Sequence, residues 1–246
     1  MRSFAEYLVF AVVAWAGCTA PRDTGIPGDT TDSAVPGDTA DTGDTGDSPP
    51  PRSLGTGEHS IEHDGLERTF RLYLPEGLAV GAPLVVGLHG YGGTASGFQR
   101  YAGLDTVADR EGFGVVYPQG TLDRWDQGFW EVGYEFHDGT VEDVGFIRAV
   151  RELLIVDQGL DPELVFATGM SNGGDMSYRL ACEADDAFAA VAPVAGCLMG
   201  VVQRTCAPTR QVSLFEIHGT DDSITPWEGD IDGSDGYSPY LGTEAS

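Results

Sequence analysis

The sequence contains no lysine. All 13 basic residues are arginine, against 39 aspartates and glutamates, and the formal net charge is -26 over 246 residues. A surface of that sign repels phosphates and excludes a nucleic-acid partner. It suits a soluble exported protein with a neutral substrate. The chain has no apolar run of the roughly 20 residues that a membrane-spanning helix needs. It has no repeat array and no metal-ligand cluster of Cys, His, Asp and Glu, so no metal is expected. Cysteine is scarce, at four residues. Histidine occurs at positions 59, 63, 89, 137 and 218 and nowhere later. The hydrophobic content of 41% is enough to bury the core of one large domain.

The first residues point to export. Arg2 gives a positive start, and Tyr7 to Ala16 form an almost unbroken apolar run. That length matches the core of a signal peptide, read here as residues 1–18. Ala16-Gly17-Cys18 resembles the bacterial lipoprotein processing site, where Cys18 would become the lipidated N-terminus and a membrane anchor. Trp15 stands where that motif usually has leucine. Residues 19–54 interleave Asp23, Asp29, Asp32, Asp38, Asp41, Asp44 and Asp47 with Thr, Gly, Ser and Pro. No apolar periodicity exists there to offset the entropy of ordering, so the segment reads as a disordered acidic linker. Its Asp-Thr-Gly repeats lack the scaffold that a calcium loop requires.

Residues 55–246 alternate strand and helix patterns. Strands are expected over 57–62 and 69–74, pairing around Asp64-Gly65, and over 83–88, 113–117, 164–168, 189–194 and 212–217. Helices are expected over 98–110, 141–158 and 172–183, with an aromatic and glycine-rich loop over 119–140. This alternation implies a mostly parallel sheet covered on both faces, with its chemistry at the carboxyl ends of the strands.

Three elements sit at such ends. Gly169-Met170-Ser171-Asn172-Gly173 stands between a strand and a helix. This is the pattern of a nucleophile elbow, which lifts the serine hydroxyl above the sheet. Upstream, His89-Gly90-Tyr91-Gly92-Gly93 can turn backbone amides inward. Acyl transfer needs two such donors for the developing oxyanion, and the amides of Tyr91 and Asn172 are the candidates. His89 precedes the turn and reads as structural. Downstream, His218-Gly219-Thr220-Asp221-Asp222 offers the acid that would orient a histidine; Asp222 is the choice and Asp221 the reserve. Trp125, Phe129 and Trp130 are candidate linings of the acyl pocket.

These elements resemble one family. Asp143-Val144-Gly145-Phe146-Ile147, Asp161-Pro162, the Ser171 elbow, Tyr178-Arg179-Leu180-Ala181-Cys182-Glu183, Ala192-Pro193-Val194-Ala195-Gly196 and His218-Gly219-Thr220 carry the likeness. Arg124-Trp125 after Tyr117-Pro118-Gln119-Gly120 adds to it. The family is that of secreted esterases including polyhydroxybutyrate depolymerases, feruloyl esterases and acetylxylan esterases. The resemblance implies an α/β-hydrolase fold, a three-layer αβα sandwich with a mostly parallel sheet. It also implies Ser171 as nucleophile, Asp222 as triad acid, no cofactor, and an ester-bearing polymer or small ester as substrate. Cys182 with Cys206 resembles the family's usual disulfide; Cys197 with Cys206 is the alternative. The protein is read as a monomer.

One departure matters. The family's catalytic histidine lies well after the acid, and no histidine follows Asp222 here. A serine without a general base is a poor nucleophile. Three explanations stay open: a C-terminally truncated esterase, a degenerate relative that binds without turnover, or His137 acting as the base. A serine peptidase on the same fold is a further alternative.

Overall fold

Asp64 and Gly65 both take positive φ, 51° and 74°, as a two-residue hairpin turn requires. They join β1 (Gly57–His63) to β2 (Leu66–Tyr73) in antiparallel register. The computed structural model describes residues 54–246 except Asp235. The expected export signal, Cys18 and nearly all of the acidic linker lie outside the described residues. Next come β3 (Leu84–Leu88), α1 (Ala95–Ala102), α2 (Leu104–Glu111) and β4 (Gly114–Pro118). A small hairpin follows, β5 (Thr121–Leu122) with β6 (Gly128–Phe129). Then come α3 (Asp143–Gln158), β7 (Val165–Met170), α4 (Asn172–Glu183), β8 (Ala190–Val194), α5 (Gly200–Thr205) and β9 (Ser213–Leu214). A last pair, β10 (Gly229–Asp230) with β11 (Tyr240–Leu241), closes the chain.

The main sheet has seven strands in the order β1-β2-β4-β3-β7-β8-β9. Pairing is antiparallel from β1 to β4 and parallel from β4 onward. Every residue of β3 and β4 is buried. Strand alternation divides them between two cores. Leu84, Val86 and Leu88 pack with Phe146, Ile147, Val150 and Leu154 of α3 and Met176 and Leu180 of α4. Val85 and Tyr117 pack with Phe98, Leu104 and Val107 on the opposite face. This is the three-layer α/β-hydrolase sandwich.

Three details depart from the sequence analysis. The helix expected over 98–110 is two helices, because Gly103 takes the left-handed conformation, φ 67°, and ends one while starting the other. The strand expected over 212–217 shrinks to Ser213–Leu214 plus a lone bridge from Ile217 to Val194. The loop over 119–140 contains the β5–β6 hairpin. Cys182 and Cys206 form a disulfide with Cα atoms 4.9 Å apart.

One buried ion pair locks the hairpin to the helical layer. Arg68 Nη2 donates to Asp143 Oδ1 at 2.6 Å, and the two side chains are 4% and 0% exposed. Asp143 Oδ2 accepts the Glu131 amide at 2.7 Å, and the Arg68 guanidinium lies 4.0 Å from the Phe146 ring centre. Burial pushes the Asp143 carboxyl above the usual carboxylate range, and Arg68 opposes that shift. Removing the arginine alone would strand a buried charge. Arg68→Ala should therefore lose about 3–5 kcal/mol of stability in urea unfolding; a loss under about 1 kcal/mol would contradict this assignment.

Candidate active site

At the end of β7 the chain reverses so sharply that Ser171 adopts φ 56° and ψ -124°, a conformation that costs a non-glycine residue about 1–3 kcal/mol. Three hydrogen bonds hold it there. The Ser171 amide donates to the Val194 carbonyl at 2.9 Å, and the Ser171 carbonyl accepts the amides of Gly174 at 2.6 Å and Asp175 at 3.0 Å. The following turn of α4 presses on β3. A Cβ on Gly173 would stand 2.3 Å from the Leu88 carbonyl oxygen, so only glycine fits.

The loop after β3 lies against this elbow. A Cβ on Gly90 would sit 3.1 Å from the Met170 carbonyl oxygen and 3.5 Å from Ser171 Cβ. Tyr91 follows directly. The loop is fixed by the Gly92 amide donating to Gly128 O at 2.8 Å and the Gly93 amide donating to Gly90 O at 2.9 Å. His89 is part of the scaffold. Its Nε2 accepts the Gly120 amide at 3.0 Å, its Nδ1 donates to Gly90 O at 2.8 Å, and burial lowers its pKa. A neutral ring with both nitrogens engaged is not placed to act as a base.

Asn172 is fully buried, and its side chain has a second job. Oδ1 accepts the Trp130 amide at 2.7 Å and Nδ2 donates to the Trp130 carbonyl at 3.0 Å. Trp130 Nε1 in turn donates to the His89 carbonyl at 2.9 Å. Asn172 and the His89 loop are thereby tied through one residue.

Ser171 opens into a cavity of about 30 Å³ walled by Tyr91, Tyr134, Asp175, Met199, Thr225 and Tyr240, among others. Trp125, Phe129 and Trp130, expected to line the acyl pocket, are not among its walls. Trp130 is completely buried, so its indole N–H needs an acceptor, which the His89 carbonyl supplies. Phe129 faces a different, larger cavity, and Trp125 stands half exposed on the tip of the β5–β6 hairpin.

Asp222 caps the turn that forms one wall. Its Oδ1 accepts the amides of Ile224 at 2.8 Å and Thr225 at 2.9 Å, and both of those residues line the Ser171 cavity. Asp222 itself does not line it. Its Oδ2 lies 3.8 Å from His218 Nε2. His218 is buried between Glu216 Oε1, 3.0 Å from Nδ1, and the Thr225 carbonyl, 2.7 Å from Nε2. It braces the same turn. No histidine lines the Ser171 cavity. Among the described residues no group of three or more His, Cys, Asp and Glu side chains could hold a metal ion.

A sequence model described as esterase PHB depolymerase matches residues 68–212. The chain belongs to this esterase family. NocK of Nocardia uniformis subsp. tsuyamanensis is 34% identical to it over 183 residues, 73% of this chain and 52% of that one. The bifunctional acetylxylan esterase/xylanase of Neocallimastix patriciarum is 29% identical over 164 residues, 67% of this chain and 23% of that one. The chain thus spans about half the length of the first relative and under a quarter of the second. Among solved structures, an S-formylglutathione hydrolase from Agrobacterium tumefaciens shares the fold, with a TM-score of 0.56 and 16% identity over 68% of this chain and 76% of that one.

In this member of the family, one buried acid near Ser171 was not among the residues that the sequence singled out. Asp175 is completely enclosed four residues after Ser171, yet lines the same cavity. Its Oδ2 accepts the Tyr134 hydroxyl at 2.5 Å and its Oδ1 accepts the Cys197 amide at 2.8 Å. The signal was its spacing, since the i+4 position on α4 shares a face with Ser171. Burial raises its pKa to about 6, against the hydrogen bonds from Tyr134 and Cys197. The folded state holds this proton more tightly than the unfolded chain, where aspartate ionises near about 4. The stability this provides is complete below about pH 4 and is lost as pH rises through about 6. Asp175→Asn cannot ionise. Its stability relative to the wild type should rise by about 3 kcal/mol between about pH 4 and pH 7 in urea titrations. A difference that does not change with pH would contradict the assignment.

Proposed function

We propose that this protein is a secreted serine carboxylic-ester hydrolase that works through an acyl-enzyme on esters carried by an extracellular polymer. The polymer is a polyhydroxyalkanoate, or xylan bearing feruloyl or acetyl groups. One observation carries the reading: Ser171 sits in a strained strand-to-helix elbow, φ 56° and ψ -124°, and faces a cavity. Strain of this kind persists only where surrounding structure enforces it, and it concentrates at functional sites. In this reading Ser171 attacks the ester carbonyl, and the backbone amides of Tyr91 and Asn172 receive the oxyanion. The alcohol leaves with a proton, and water releases the acid. Asp222 orients the histidine base of such a triad. The export signal and a lipid on Cys18 would hold the enzyme at the bacterial outer surface, with the acidic linker as tether. It would act as a monomer.

Because no histidine lines the cavity, added imidazole is the base to test with. With imidazole present, hydrolysis of p-nitrophenyl acetate by the wild type should exceed that by Ser171→Ala by at least about tenfold. Equal rates would contradict an esterase and favour a tethered polymer-binding protein. Ser171-dependent cleavage of a matched anilide as well would point to a peptidase.

A further inference from the structure

A larger cavity lies near the one at Ser171. It measures about 400 Å³, more than ten times the volume of the Ser171 cavity, and is lined by Arg124, Phe129, Glu135, Phe136, His137 and Asp138 among others. That volume is in the range where proteins hold small molecules, about 300–1,000 Å³. Tyr91 and Tyr134 line the Ser171 cavity, and their rings pack on Phe136 and His137 of the larger one, with centroids 5.2–6.1 Å apart. The Tyr91 hydroxyl also donates to Asp123, which lines the larger cavity.

His137 is the feature here that folding alone does not explain. Its side chain is 3% exposed, yet neither ring nitrogen has a hydrogen-bond partner among the described residues. Asp123 Oδ2 stands 3.7 Å from Nε2, too far for a hydrogen bond. Leaving two buried polar atoms unpaired is costly unless a ligand pairs them. Burial keeps this imidazole's pKa low, so the ring offers one donor and one acceptor.

We propose that this cavity holds a neutral sugar unit of the polymer that carries the ester, with His137 bonded to its hydroxyls and Phe129 and Phe136 against its C–H face. The lining selects the ligand. His137 presents one donor and one acceptor that lack partners among the described residues. Sugar hydroxyls supply donors and acceptors together. A polyester chain offers carbonyl acceptors along its length and would leave the accepting nitrogen of His137 unpaired. Arg124 lies 4.0 Å above the Trp125 ring, which stands half exposed at the rim and meets Phe136 at 5.9 Å. The hairpin tip holding Trp125 is fixed by Asp123, whose Oδ1 accepts the amides of Trp125 at 2.8 Å and Gln127 at 2.9 Å.

This deepens the esterase reading and rests on it for what the site is for, but binding can be measured without turnover. Titrating the protein with xylotetraose, read by tryptophan fluorescence and by calorimetry, should show saturable binding. His137→Ala and the exposed Arg124→Ala should each weaken it at least tenfold, while Ser171→Ala should bind like the wild type. Arg124→Ala keeps the test decisive if the His137 variant does not fold. Absence of xylotetraose binding, or binding indifferent to both variants, would overturn the proposal. So would saturable binding of a linear 3-hydroxybutyrate trimer at these residues in place of xylotetraose. Loss of Ser171-dependent hydrolysis with saccharide binding intact would count against the esterase reading alone.

Discussion

The site depends on how closely three backbone segments approach one another at the carboxyl end of β7. The first turn of α4 lies against the end of β3 on one side and the chain after β8 on the other. A Cβ on Gly173 would stand 2.3 Å from Leu88 O, and one on Gly196 would stand 2.6 Å from the Gly174 carbonyl carbon. Neither contact can be relieved by rotating a side chain, because the opposing atoms are backbone. This approach sets Ser171 above the sheet, and the Val194 carbonyl fixes its amide. The conformational cost at Ser171 is met by packing and hydrogen bonds from elements distant in sequence.

A second layer of order grows from that contact. Asn172 grips both backbone polar groups of Trp130, whose indole reaches the carbonyl of His89. The loop from Gly90 to Gly93 is therefore referenced to the same helix that presents the serine. The acid turn is referenced separately. Asp222 caps its own loop, and His218, braced by Glu216, holds the Thr225 carbonyl. Glu216 also accepts the Tyr178 hydroxyl of α4 at 2.8 Å, which ties that turn back to the helix that follows Ser171. Asp175 completes the enclosure as a buried acid facing the Ser171 cavity.

Much of this was legible in the sequence where the signal is local. Continuous apolar runs marked β3, β4 and β7, and Asp64-Gly65 marked the first hairpin. The glycines around Ser171 marked the elbow, because a tight turn permits few alternatives there. Gly103 was legible in principle as a helix stop but was hidden by apolar spacing that continued across it. The roles of Trp125, Phe129 and Trp130 were not legible. An aromatic residue in a long loop can fill a core, line a cavity or face solvent, and these three do one of each. Contacts between distant segments decide which. The same holds for Asp175 and His137, whose neighbours come from elsewhere in the chain.

Under the proposed function the elbow makes Ser171, alone among the serines, a nucleophile toward acyl-type centres. The direct measurement is to treat the protein with a serine-directed phosphonate in the presence of imidazole, cleave after arginine, and map the adduct. Cleavage yields the peptide 152–179, which holds both Ser171 and Ser177. A single adduct on Ser171, absent from Ser171→Ala, is expected. An unlabelled peptide, or an adduct on Ser177 or another serine, would contradict the proposed function.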